Sequence, residues 1–272
     1  MVREFLILYT EDPGEVSVYD LNGSEVAKTR LPLLFGAPVR LDIIRRAFLS
    51  AFTSRIQPQG RDPLAGKRRV GESWGADHSV ARVPRLDNGR AVFAPMTRGG
   101  RRTHPPTTEK IVYEDINKRE MRLAIISALA ATRRIDFVSR RGHIIPENIK
   151  SLPIVVTDDL EKISGTSSAK EFLVRIGLWR DVERVSERIR IRAGRGKMRG
   201  RRYVSPKSFL LILSTPQAPA VKAFRNLPGV DVIWPNGLGI QHLAPGGVPG
   251  RLIVITQTAL KMLGEKYVVR TL

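Results

Sequence analysis

Cysteine is absent from this 272-residue chain. Its absence excludes disulfides and cysteine-ligated zinc modules, and leaves no sign of a secreted scaffold. Long apolar runs are missing too, since none approaches the ~20 residues that a membrane span needs. The opening MVREFLILYT is only briefly apolar before EDPGE and offers no small-residue cleavage site, so no signal peptide is expected. Acids are scarce: 26 Asp and Glu face 46 Lys and Arg, for a formal charge of +20. Such an imbalance points to a polyanionic partner, nucleic acid before membrane. A soluble cytoplasmic protein is the expectation.

The charge is unevenly placed. From Arg55 to Pro105 the chain has no usable hydrophobic period and is rich in Arg, Lys, Gly and Pro, with eleven basic residues against four acids. Connections longer than roughly 12–15 residues without structure are uncommon in compact domains, and are usually functional or disordered. Arg188 to Lys207 carries nine basic residues and no acid. The remaining residues sum to only +4. The chain therefore reads as a nearly neutral globular domain over 1–272, interrupted at 55–105 and 188–207 by cationic extensions.

Between these extensions the pattern is that of an α/β protein. Val16 to Leu21 and Ser24 to Thr29 flank Asn22-Gly23, which favours a tight hairpin. Leu41, Ile44, Phe48 and Phe52 form a helical stripe, with Arg45 and Arg46 on its polar side. A second helix runs from Asn117 to Arg133, with Asn117 and Glu120 in capping-box positions and Met121, Ile125, Ala128, Leu129 and Thr132 on one face. Apolar strands are then predicted at Ile154 to Val156, Phe209 to Leu213, Val230 to Trp234 and Leu252 to Ile255. Helices follow them: one opened by Ser168 with Glu171, then Ala220 to Phe224, Ile240 to Leu243 and Thr258 to Leu263. Strands that are apolar throughout and alternate with helices predict a mostly parallel sheet covered on both faces. No internal repeat is evident.

Small ligands of such sheets bind beyond the carboxyl ends of the strands. The loops there read TDDLEKIS, STPQAP, PNGLG and TQTAL, with no dinucleotide fingerprint, and no phosphate-binding GxxxxGK[ST] occurs. Gly194-Arg195-Gly196 lacks a third glycine at the required spacing, and no strand feeds it directly. Asp158-Asp159 is best read as a helix-leading turn. His143 and Glu147 are spaced like metal ligands on a helix, but Pro146 between them opposes one. His78, His104 and His242 are scattered, and Ser164 to Ser168 reads as a loop and cap. No nucleophile, base and orienting group assemble. The expectation is a non-enzymatic protein with no cofactor and no metal.

The basic stretches suit RNA. Arginine makes bidentate bonds to phosphate and stacks on bases, and Gly194, Gly196 and Gly200 keep the backbone thin. If extended, Arg188, Arg190 and Arg192 project to one side. Trp74, His78 and Phe93 offer flat faces for unpaired bases. No helix-turn-helix, finger or basic-zipper pattern favours DNA.

GKRRVGESWGADHSVARVPR from Gly66, FAPMTRGGRRTHPP from Phe93 and NKREMRLAIISALAAT from Asn117 resemble the family of ribosomal protein four of the large subunit. The resemblance covers the whole chain and fits the archaeal and eukaryotic branch. Eukaryotic members usually carry a long C-terminal extension, so an end at Leu272 favours an archaeal source. It implies a structural, ribosomal-RNA-binding constituent of the large subunit whose long loop penetrates RNA and reaches the nascent-peptide exit tunnel, opposite ribosomal protein twenty-two. Carried onto this sequence, the tip is roughly Glu72 to Pro84, including Ser73, Trp74, Gly75, His78 and Arg82. The implied RNA contacts are Arg55, Arg61, Lys67, Arg68, Arg69, Arg98, Arg101 and Arg102 in the loop. In the second segment they are Arg188, Arg190, Arg192, Arg195, Lys197, Arg199, Arg201 and Arg202. Implied partners are large-subunit RNA, neighbouring ribosomal proteins and the nascent peptide, but no membrane. The loop is expected to take shape only as the ribosome forms around it. Two alternatives stay open: an RNA-modifying, methyltransferase-like enzyme on the same sheet, and a DNA-compacting protein.

Overall fold

The structure, a computed structural model, describes residues 5–7 and 10–271. The opening apolar run thus lies partly outside the described residues. The chain divides into two compact units, Thr53–Glu114 and the segments on either side of it.

The larger unit is built on a six-stranded sheet. β2 (Glu15–Tyr19) and β3 (Glu25–Arg30) form the expected hairpin, turning at Gly23 with a φ of 82°. Parallel strands β4 (Ile154–Val156), β7 (Leu210–Ile212), β8 (Asp231–Ile233) and β9 (Ile253–Thr256) complete it, in the order β3-β2-β4-β9-β7-β8. The sheet is mostly parallel, with β3 antiparallel at one edge. Two further pairings had no counterpart in the sequence reading: β1 (Phe5–Ile7) with β10 (Val269–Thr271), and β5 (Arg190–Ile191) with β6 (Tyr203–Val204).

Because side chains alternate along a strand, each buried strand feeds two cores. Val155, Leu210, Ile212, Ile253 and Ile255 face one layer; Ile154, Val156, Leu211 and Val254 face the other. The first layer is closed by α1 (Leu41–Thr53), α2 (Lys118–Arg133), α7 (Ile240–Leu243) and α8 (Gln257–Lys266). The second is closed by α3 (Ile135–Arg140), α4 (Thr166–Ile176), α5 (Trp179–Glu187) and α6 (Ala220–Arg225). Helices on both faces explain why the strands are apolar throughout.

Local details depart from the sequence reading in three places. In α1 the buried line is Ile44, Ala47 and Ser50, whereas Leu41 and Phe52 are about half exposed, at 49% and 50%. Helix α2 is buried continuously from Ala124 to Thr132, so its apolar face is wider than one stripe. Its cap is Asn117, whose side chain accepts from the Arg119 amide, but Glu120 pairs with Arg46 at 3.3 Å instead of closing a capping box. Finally, α4 opens at Gly165 rather than Ser168.

Two buried polar groups tie the sheet to its surroundings. Arg251, fully buried, pairs with Asp231 at 2.7 Å and donates to the carbonyls of Ser208, Phe209, Gly229 and His242. Asp181, also fully buried, accepts from Ser208 Oγ at 2.7 Å, Arg184 Nε at 2.9 Å and the Ile144 amide at 3.1 Å, and meets His143 Nδ1 at 3.1 Å. His143 is thus committed to Asp181, while Glu147 is exposed and no helix joins them, so the metal-like spacing of this pair is only a coincidence of sequence.

Burial alone would push the Asp181 pKa up, but the hydrogen bonds from His143, Arg184 and Ser208 outweigh it and hold the carboxyl below the usual carboxylate range. A depressed folded-state pKa contributes stability above the unfolded value and loses it as pH falls. The stability advantage of the native chain over Asp181→Asn should therefore be level near neutral pH and shrink below about pH 4. Urea unfolding across a pH series measures it; an advantage independent of pH would contradict the assignment.

Candidate nucleic-acid interface

The Thr53–Glu114 unit contains no helix beyond its first residue and no strand ladder longer than isolated bridges. Backbone hydrogen bonds and close approaches organise it. Arg61 N donates to Pro106 O at 3.1 Å, tying the ingoing to the outgoing chain. Glu72 and Arg85 exchange two backbone bonds of 3.2 and 2.9 Å. A second turn, over Leu86 to Arg90, brings Ala91 against Arg85 and lets Val92 N donate to Pro84 O at 2.8 Å. Val92 is the buried apolar side chain at this crossing, at 6% exposure. Gly71 lies directly against the Arg85 carbonyl and the Val92 side chain, and Gly100 against the Ala94 carbonyl. Neither position has space for a Cβ.

The stretch expected to lack shape of its own is therefore a network of turns. The Glu72–Arg85 pairing closes a loop over residues 73–84, whose backbone is left-handed at Gly75, Asp77 and Ser79, with φ of 83°, 69° and 54°. Within that loop Trp74 and His78 meet edge to face at 6.0 Å, and the Arg85 guanidinium stands 5.9 Å over the indole. Ser73, His78 and Arg82 are exposed. Phe93 is separate from this cluster and carries Arg101 over its ring at 5.4 Å.

Arg55, Arg61, Lys67, Arg68, Arg69, Arg98 and Arg102 are exposed, and Arg101 is half-buried. Asp62 engages Arg68, which holds the Asp62 carboxyl below its ordinary range and raises the Arg68 pKa. Arg90 is exposed as well, whereas Arg85 is half-buried and donates to the Gly89 and Ala81 carbonyls; neither was singled out from sequence, although both lie in the same run.

The second basic segment, in the larger unit, is a short hairpin. Arg190 pairs with Val204 and Ile191 with Tyr203. A tight helical turn over Arg195–Arg199 ends at Gly200, with φ of 74°. Arg188, Arg190, Arg192, Arg195, Lys197, Arg199, Arg201 and Arg202 are all exposed. The expected row of three guanidiniums does not form. Arg188 ends α5 rather than joining the strand, and Arg192 Nε folds back onto the Arg201 carbonyl at 3.1 Å. The two-residue β5 ends at Ile191, so no strand feeds Gly194 directly, as expected, and only the tight turn follows. Tyr203, 59% exposed with Arg202 5.7 Å over its ring, adds an aromatic face that the sequence reading passed over. The adjacent RRY was its signal.

The strand-end crevice is occupied by the protein itself. Glu161, after β4, accepts from the Ser214 amide and hydroxyl beyond β7, both at 2.6 Å, and from Thr256 Oγ1 at the end of β9, at 2.9 Å. Asp158 accepts from the amide and hydroxyl of Thr258 in the first turn of α8, at 2.9 and 2.6 Å. These acids join the strand-end loops to one another, and Asp158-Asp159 opens the helical turn over Asp158–Lys162, as a helix-leading turn requires.

Fold and surface together define a basic α/β scaffold protein with two exposed cationic insertions. The sequence model of the Ribosomal protein L4/L1 family matches residues 29–266. A large ribosomal subunit protein uL4 of Aeropyrum pernix is 49% identical over 269 residues, covering 98% of each chain. One of Saccharolobus islandicus is 50% identical over 250 residues, covering 92% of this chain and 93% of its own length. The chain belongs to the ribosomal protein L4/L1 family, as the motif resemblance implied, and these relatives are archaeal.

The close approaches give a local test. In Gly100→Ala the new methyl would run into the Ala94 carbonyl, so the amides of Arg85, Val92 and Arg101 should lose about 1–3 kcal/mol of hydrogen-exchange protection. Protection in β4, β7 and β9 should not change. Unaltered exchange at all three amides would show that the turns do not depend on this approach.

Proposed function

We propose that this protein is a structural constituent of the large ribosomal subunit in the cytoplasm, binding ribosomal RNA through the Arg55 to Pro105 loop and the Arg188 to Lys207 segment. The observation that carries the reading is the partition of charge. Of the net +20, +16 sits in two segments whose arginines are mostly exposed, on a scaffold close to neutral. The names and near-complete coverage of the relatives support it. Arg and Lys there release counterions from phosphates, and a backbone thin enough for glycine contacts lets RNA approach closely. On this reading the 73–84 loop, with Trp74 at its base, is the tip that lines the exit tunnel opposite ribosomal protein twenty-two and meets the nascent peptide.

The methyltransferase-like alternative is disfavoured by Glu161, whose carboxylate bridges the strand ends where a cofactor would lie. That placement supports an architectural rather than a catalytic reading. The DNA-compacting alternative predicts no preference between nucleic acids. Competition of large-subunit RNA against duplex DNA across a salt series decides between them, and equal preference would overturn the proposal.

Two consequences are measurable. Replacing Arg199, Arg201 and Arg202 by Gln should lower the slope of log affinity against log salt by about 0.7–0.9 for each phosphate that is no longer neutralised; an unchanged slope would remove this segment from the interface. Deleting Lys67 to Arg102 should leave the α/β unit cooperatively folded, by thermal denaturation, yet block normal large-subunit assembly. Loss of cooperative unfolding in that deletion would mean that the loop belongs to the core.

A further inference from the structure

Within the Thr53–Glu114 unit, Gly66, Arg68, Arg69, Arg90, Phe93 and Arg98 surround a concave hollow of about 290 Å³. That lies at the lower limit of ligand-sized pockets, and is too small for a helical edge of duplex nucleic acid. Four arginines and one phenylalanine are among its lining residues, with Val92 and Gly99 beside them. Asp62 engages Arg68, while among the described residues no carboxylate forms an ion pair with Arg69, Arg90 or Arg98. The hollow is therefore strongly cationic.

A second observation concerns Phe93 itself. Its φ of 63° is left-handed, a conformation rare for a bulky side chain. Residues held this way cluster at ligand clamps, where neighbouring structure fixes them. Here the Arg101 amide donates to the Phe93 carbonyl at 3.2 Å, and the Arg101 guanidinium stands over the ring without bordering the hollow. Phe93 thus has one cation over its ring and borders a cavity lined by four other arginines.

We infer that this hollow is a pocket for a single unpaired nucleotide of RNA, its base against Phe93 and its flanking phosphates on Arg69, Arg90 and Arg98. The inference rests on the RNA-binding reading above and specifies what one part of that surface recognises. A base supplies the π-face that stacks on an aromatic side chain, and its phosphates supply the anions that arginine forks hold. A bare phosphate would use the arginines but not the ring. A paired stem would hold its bases out of reach.

The test uses the full-length chain and two RNA stem–loops, identical except that one carries a single bulged adenosine, with affinity measured by fluorescence anisotropy at fixed salt. The native chain should prefer the bulged RNA by about tenfold, as expected for one base–aromatic stack. Phe93→Leu, unbranched at Cβ, should bring that preference near unity by weakening binding of the bulged RNA more than of the paired one. Arg90→Gln should weaken binding of the bulged RNA more than of the paired one. Unchanged hydrogen exchange at the Arg101 amide checks that each variant keeps the turn network. Equal affinity of the native chain for both RNAs, or a preference that survives Phe93→Leu, overturns the pocket but leaves RNA binding standing. A preference lost in Arg90→Gln alone reduces the hollow to a phosphate site and also overturns it. No advantage of either RNA over duplex DNA would overturn the RNA-binding reading and the pocket together.

Discussion

Like-charged guanidiniums repel, and a chain with a net charge of +20 must hold most of them where water and counterions screen them. This protein keeps a doubly covered parallel sheet close to neutral and places its cations on segments with little core of their own. Where arginine does enter the interior it is tied down individually. Arg251 meets Asp231 and four backbone carbonyls, and Arg184 meets Asp181. A buried guanidinium left without such partners would cost several kcal/mol. Separating screened from buried cations lets one chain keep both a stable fold and a surface shaped for a polyanion.

The same constraint explains how the long insertion holds its form. It cannot collapse around apolar side chains, because it has few of them, so backbone contacts take that role. The Glu72–Arg85 exchange, the turn over Leu86 to Arg90 and the close approaches of Gly71 and Gly100 set its course. Val92 is a small plug at their crossing rather than a core. Arginine–aromatic pairs, Arg85 on Trp74 and Arg101 on Phe93, add contact area without needing deep burial. Most side chains along this network are exposed, Val92 excepted.

How much of this was legible in the sequence follows from which interactions carry each part. Strands such as Ile154 to Val156 were readable as short apolar runs, because a sheet covered on both faces leaves no polar position in them. Helices such as Ile240 to Leu243 were readable by their place after such strands. The Asn117 cap was readable because capping needs one side chain at one position. The faces of α1 and α2 were less so. Leu41 and Phe52 match a helical period yet remain half exposed, since a period says which residues share a face and not whether anything covers its ends. The β1–β10 pairing joins the two ends of the chain through strands of three residues, too short to show alternation. In the basic segments the signal was compositional, and composition located the surface without its geometry. That Arg192 turns back onto the Arg201 carbonyl, or that Phe93 takes a left-handed backbone, leaves no trace in residue type.

The strand ends show why this fold directs its chemistry elsewhere. In an open parallel sheet the loops after the strands ordinarily leave a crevice, and ligands exploit it. Here Glu161 and Asp158 use that position to bind the loops to one another, through Ser214, Thr256 and Thr258. A carboxylate satisfied by three donors in that crevice stabilises the scaffold, and it also takes up the donors that a bound anion would need. On the proposed reading, binding capacity resides in segments inserted between elements, where length, glycine and arginine can change without disturbing the sheet. A rigid scaffold with its own crevice closed, carrying cationic insertions between its elements, is the arrangement expected when the ligand is much larger than the domain.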